Sequence, residues 1–306
     1  MPIYDQTFRR YDGPRRTTAL WWPIARTTFR PVLKSKFTWF LLLGLLGYLI
    51  VISVGFFASA KMQELAPGQV GEATRTLRMQ KLPMFGKDMQ LGTVLYSFIT
   101  PLFSMMGLLL LATGGGSISV DLKNAALPLY FSRPLKPWHY VFGKILGMAI
   151  LPFASLTAGL LIVFIQFIAY FRGPSGLITD LPVLLAALLQ VVIVSFMLSI
   201  AITAFSSTTK NARTAGILYF GFFIATTALG EVLVNAAHMR ELRAIAPRFA
   251  LDTVGRALLH PDFTQFTGPI DISGLRLRFA ICALVVYALA FLGLLRHNLR
   301  VVEVVK

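Results

Sequence analysis

A chain of 306 residues that is 56% apolar and only 14% charged, with a mean hydropathy of +0.70, carries more apolar surface than one soluble core can bury. That composition excludes a soluble enzyme and a disordered chain, both of which need a more polar make-up. The net charge of +16 lies between apolar runs, which points to lipid headgroups and membrane topology and away from nucleic acid.

A bilayer core of about 30 Å is crossed by roughly 20 apolar residues in a helix. The chain opens with a basic segment, residues 1–36, holding eight Lys and Arg and preceded by no apolar stretch. The expectation is that no cleavable signal is present and that the first span itself directs insertion. Within this segment Arg26, Arg30 and Lys34 recur at i, i+4 and i+8, while Trp22, Ala25, Phe29 and Leu33, with Val32, fall on another face. That pattern predicts an amphipathic interfacial helix, begun by Pro23 and kinked or ended early by Pro31. It reads either as a simple anchor or as an elbow helix that also touches a partner.

A single six-helix transmembrane domain, residues 37–306, is predicted next. Its spans cover about 37–60, 91–113, 140–170, 181–205, 214–236 and 277–295. Each must be helical, because lipid satisfies no free backbone group and no barrel-like alternation is present. Residues 61–90 are a polar connection. The glycines at 114–116 are expected to break the second helix, with one or two helical turns between Asp121 and Tyr130 and turn chemistry at Ser132-Arg-Pro and Lys136-Pro. In the external connection 237–276, Leu251, Val254 and Leu258 within 248–259 predict one or two short amphipathic helices dipping into the outer interface before the last span.

Six spans place both termini on one side. That side collects 17 of the 29 Lys and Arg, and the single short loop on the other side carries only Arg172. The asymmetry predicts a multi-pass protein of the cell (inner or plasma) membrane with both termini in the cytoplasm.

Catalytic signatures are missing. No Gly-x-x-x-x-Gly-Lys-Ser/Thr occurs, the four His have no zinc spacing, no Gly-x-Ser-x-Gly is present, and no span holds a pair of carboxylates. The lone cysteine, Cys282, lies in an apolar run and forms no disulfide framework. The expectation is therefore no enzyme and no metal or cofactor in this chain. Small and polar residues within the spans, Ser195/Ser199/Thr203, Thr100/Ser104 and the pair Gly143/Gly147, read as close helix packing, with a substrate path as the alternative. Gln166, Gln190 and Glu231 lie in the outer halves of their spans. They are candidates for a hydrated outer vestibule, the plainer reading being that Glu231 simply reaches the interface.

Asp121, Lys123, Leu127, then Ser132-Arg133-Pro134, then Tyr140 and Gly143-Lys144 resemble the local pattern of the ABC-2 family of ATP-binding-cassette exporter permeases. The amphipathic basic helix, six spans and structured second loop extend the resemblance over most of the chain. It departs at Ala125-Ala126, where such permeases commonly carry Gly-Thr. The resemblance implies an all-α polytopic fold with an elbow helix and a cytoplasmic coupling helix. It also implies a dimer, a homodimer foremost, and two copies of a separate cytoplasmic ATPase that would bind ATP and Mg. An extracytoplasmic accessory protein is a further candidate partner. The coupling residues would be Asp121, Lys123, Asn124, Leu127, Arg133 and Pro134, and the elbow residues Trp22, Arg26, Phe29, Arg30 and Lys34. Two other readings stay open: a non-transporting module through which an ATPase drives an extracytoplasmic partner, and a secondary transporter.

Overall fold

The computed structural model of the chain describes residues 21–65, 90–127, 137–259 and 275–303, and all regular structure among them is helical. Six helices are long and apolar enough to cross a membrane. The first helix, α1 (Trp21–Lys34), precedes them and carries its charge on one side. It continues through Pro31 for one further turn. Its last carbonyls are then covered by the next helix: Thr38 Oγ1 donates to Val32 O at 2.7 Å and Trp39 Nε1 to Leu33 O at 2.9 Å. These side-chain donors satisfy groups that a helix end leaves open.

Helix α2 (Lys36–Leu65) buries a single stripe, Thr38, Leu41, Leu45, Ile52 and Phe56, and exposes Phe40, Leu43, Val51 and Val54 on the other face. Helix α3 (Leu91–Gly114) is followed by α4 (Gly116–Lys123). The glycines do interrupt the helix, as the sequence predicts, with α3 ending at Gly114; but Gly115 keeps helical dihedrals (φ −57°, ψ −27°), so α4 continues the same apolar span of 33 residues and the two segments act as one rod. What the glycines provide is room, since a Cβ on Gly115 would overlap the carbonyl of Ala212 at the start of a neighbouring helix. The backbone ladder is interrupted at this point and completed from outside. Ser206 Oγ accepts from Ile118 N at 2.9 Å and Ser119 N at 3.0 Å, and donates to Gly115 O at 2.6 Å.

The third spanning helix, α5 (Pro137–Phe167), ends in a π turn, Ile168–Arg172, and a left-handed Gly173. A single turn, α6 (Gly176–Thr179), leads into α7 (Leu181–Ser207). Helix α8 (Ala212–Ala237) starts with Asn211, whose side chain accepts from Arg213 N. A 3-10 turn (Arg240–Ile245) and α9 (Pro247–Leu259) lead to the last helix, α10 (Leu277–Glu303).

Helix α7 is the hub, packing against α3, α5, α8, α9 and α10. Half or slightly more of the most apolar window of α3–α4, α5 and α7 is buried, against 22% for α2 and 11% each for α8 and α10. The first three therefore form an inner bundle and the others an outer layer with apolar outward faces. Such faces are stable only in a lipid-like solvent or against another apolar surface. The Ser195, Ser199 and Thr203 stripe lies fully buried in α7, whereas Ser104 is exposed.

Candidate functional site

Two constellations of polar residues stand at opposite ends of the bundle. At the end that carries α1 and α4, the spacing of Lys144 seven residues into an apolar helix demands a counter-ion, since a lone buried ammonium is costly. The fold supplies it. Asp121 on α4 accepts from Lys144 Nζ at 2.7 Å and from the Tyr140 hydroxyl at 2.7 Å, and Lys144 Nζ also donates to Ser117 O at 2.6 Å. Lys144 is 6% exposed and Tyr140 fully buried, so the cluster is an internal joint between the α3–α4 rod and α5. Asp121, assigned from sequence to a partner's cleft, thus has its carboxylate engaged within the chain. The signal was present: Asp121 is the only acidic residue between the second and third spans.

Beyond Asp121 the rod ends in a Schellman-type turn. Ala126 N donates to Asp121 O at 2.9 Å, Ala125 N to Leu122 O at 3.4 Å, and Ala125 takes a left-handed φ of 48°. Lys123, Asn124 and Ala125 are exposed on this turn, while Leu127 is buried in the core. Left-handed backbone at the residue after a helix cap is where glycine is least strained, which gives a physical reason for the Gly that resembling permeases carry at Ala125. Arg133 and Pro134 lie outside the described residues.

Helix α1 lies across the start of α5. A Cβ on Gly143 would lie 2.7 Å from Trp21 O, and one on Gly147 would lie 2.7 Å from Ala25 O and Thr28 Cβ, so the Gly-x-x-x-Gly pair seats α1 and not another spanning helix. The buried stripe of α1 is Ile24, Ala25, Thr28 and Val32. The apolar face read from sequence is corrected only in part: Ala25 and Val32 are buried, but Trp22 is 51% exposed and Phe29 and Leu33 are half-buried; Arg26, Arg30 and Lys34 are exposed. Thr28 passes for an apolar residue there because its hydroxyl donates to Ile24 O at 2.8 Å.

At the other end, α9 docks across α3 and α7. Gly92 makes room for it, since a Cβ there would overlap the carbonyl oxygen of Leu259. The Tyr96 hydroxyl donates to Asp252 Oδ1, and Arg256 Nε donates to Asp252 Oδ2 and to the Tyr96 oxygen, both at 3.0 Å. Burial opposes the Arg256 charge, but Asp252 and Tyr96 more than offset it, so the guanidinium pKa is raised. Gln190 Nε2 donates to Leu251 O at 2.9 Å. The three residues read as an outer vestibule have separate partners. Gln190 lies under α9, Gln166 pairs with Ser53 between α5 and α2 at 2.8 Å, and Glu231 meets Arg243 of the 3-10 turn at 3.4 Å.

An amphipathic basic helix, six apolar spans, and a rod ending in an exposed turn tied to the third span by Asp121 and Lys144 are now joined by one comparison. The sequence signature described as ABC-2 family transporter protein matches residues 22–295. The chain belongs to the ABC-2 family. It is an integral, multi-pass membrane permease subunit of an ABC transporter, and its family implies a partner ABC ATPase. No curated protein matches the permease. The matched region begins at α1 and ends within α10, so both constellations lie inside it.

Proposed function

We propose that the permease is the membrane half of an ATP-driven exporter. Two copies pair around the translocation path, each served by one cytoplasmic ATPase that binds ATP and Mg, and both termini lie in the cytoplasm of a cell that holds the complex in its inner or plasma membrane. The observation that carries this reading is the α3–α4 rod. A single helical unit connects the interior of the bundle to the exposed Lys123–Asn124–Ala125 turn, and the Asp121–Lys144 pair makes α5 move with it. A push on that turn then displaces two inner helices together, as a packed rigid element does.

Lys123, Asn124 and Arg133 offer charge-assisted hydrogen bonds to an ATPase cleft, with Pro134 shaping the return of the chain. Leu127 anchors the turn to the core rather than touching the partner. Helix α1, held on α5 by Gly143 and Gly147, keeps Arg26, Arg30 and Lys34 on its exposed side, where headgroups of the cytoplasmic leaflet would meet them.

The test is co-purification of the tagged full chain in mild detergent, followed by ATPase and transport assays in proteoliposomes of the complex. The expected result is a P-loop ATPase in the complex. Lys123→Glu combined with Arg133→Glu should lower permease-dependent stimulation of hydrolysis at least ten-fold while leaving membrane insertion intact. Unchanged stimulation in the double variant would refute the docking assignment. An intact, stimulated complex that moves no solute would instead favour a force-transmitting module acting on an extracytoplasmic partner.

A further inference from the structure

Between α3, α7 and α9 lies a cavity of about 90 Å³, open along one side. Tyr96, Ile99, Thr100 and Phe103 of α3 line it as one stripe, and Phe103 lies seven residues deeper than Tyr96, about 10 Å along the helix. The deep half is apolar, walled by Ile99, Phe103 and Val194. The rim, formed by α9, is charged.

The charges at the rim do not cancel. Asp252 has one oxygen on Tyr96 and the other on Arg256, so that carboxylate and that guanidinium neutralise each other. Arg248 remains, exposed at the rim and with no ion-pair or hydrogen-bond partner among the described residues. Among the described residues the mouth therefore carries one net positive charge. A second polar feature lies deeper. Gln190 lines the cavity and is 4% exposed; its Nε2 is bound to Leu251 O, and its Oε1 is buried with no donor among the described residues. The amide cannot be turned round, because that would set two oxygens against each other. A buried acceptor without a donor is costly, and a ligand hydroxyl or ammonium would satisfy it.

We propose that this cavity binds one anionic phospholipid per protomer. One acyl chain lies against Ile99, Phe103 and Val194, the phosphate meets Arg248, and a headgroup donor reaches Gln190 Oε1. A free soluble anion would leave the apolar half unfilled, and a zwitterionic choline lipid would bring a second cation beside Arg248 and no donor for Gln190 Oε1. The site needs only the leaflet at the α9 end, so it stands apart from the proposed exporter role and is tested without an ATPase.

The full chain is delipidated in detergent and examined by native mass spectrometry with added dioleoyl phosphatidylglycerol or dioleoyl phosphatidylcholine. Phosphatidylglycerol should be retained at one per protomer and at least five-fold better than phosphatidylcholine. Arg248→Ala should remove that preference, and Thr100→Phe, which fills the cavity, should remove retention of both lipids. Gly47→Ala, on α2 where a Cβ would meet nothing within 4 Å, should change neither, and size-exclusion profiles should show every variant folded. Equal retention of the two lipids, or undiminished phosphatidylglycerol in Arg248→Ala and Thr100→Phe, would mean general annular lipid and overturn the proposal. So would displacement of the lipid by millimolar glycerol phosphate, which would assign the site to a soluble anion.

Discussion

Replacing Lys144 with Met keeps the side chain long and removes its charge. In the native cluster the ammonium makes two short contacts, 2.7 Å to Asp121 and 2.6 Å to the Ser117 carbonyl, at a site where Lys144 is 6% exposed and the Asp121 side chain 15%. Removing one partner of a buried pair leaves the other charged and under-solvated, which typically costs about 3–5 kcal/mol. At roughly 2 °C per kcal/mol for a chain of this size, Lys144→Met should lower the melting temperature in detergent by about 6–10 °C. Asp121→Asn should cost a similar amount, because it strands the ammonium instead. The double variant Asp121→Asn/Lys144→Met should recover about half of the summed loss, since neither charge is then unpaired and the two residues share one interaction. The assay is a double-mutant cycle by thermal unfolding of the purified permease, with permease-stimulated ATP hydrolysis of the complex as the second readout. In that readout the double variant should remain poorly coupled although it is stable, because α4 and α5 are no longer tied. A Lys144→Met protein within about 1 °C of the parent, or strictly additive losses in the double variant, would refute the joint.

Two further substitutions probe the backbone at the same end. Ala125→Gly should stabilise the permease by about 1 kcal/mol, because Ala125 sits at a left-handed φ of 48° where a Cβ is strained; a loss of stability would disprove that account of the turn. Gly147→Ala should cost about 1–3 kcal/mol by overpacking and lift α1 from α5, since its Cβ would lie 2.7 Å from Ala25 O and Thr28 Cβ. The readout is faster tryptic cleavage after Arg26, since the Arg30–Pro31 bond resists trypsin. Gly47→Ala, where nothing lies within 4 Å, is the control and should leave cleavage unchanged.

Several elements were legible from the sequence because one physical rule dominated them. The six spans follow from length and apolarity, since without barrel-like alternation only helices satisfy the backbone in lipid. The helix over 248–259 follows from Leu251 and Val254, both buried as the spacing requires. The helix at 21–34 follows from its charge periodicity, and the family from the residues around Asp121 and Gly143-Lys144.

What tertiary structure decided were the identities of neighbours. Periodicity assigns a residue to a face of its own helix but does not say which helix that face meets. Trp22 and Ile24 are both apolar, yet Ile24 is buried against α5, where Gly143 leaves room for its side chain, and Trp22 is 51% exposed. The glycines at 114–116 read as a break, since glycine weakens an isolated helix. The ladder does break at Gly115, but packing against Ala212 and the bridge from Ser206, 88 residues from Ile118 in sequence, hold the two segments together as one rod. Asp121 and Lys144 carried their charges openly in the sequence, but whether those charges face a partner or each other depends on the approach of α4 to α5. A chain read in one dimension fixes local hydrogen bonding and solvent preference, which are properties of near neighbours. The pairing of distant polar groups is settled only when packed helices bring them within about 3 Å, where the cost of leaving either one alone makes the pair obligatory.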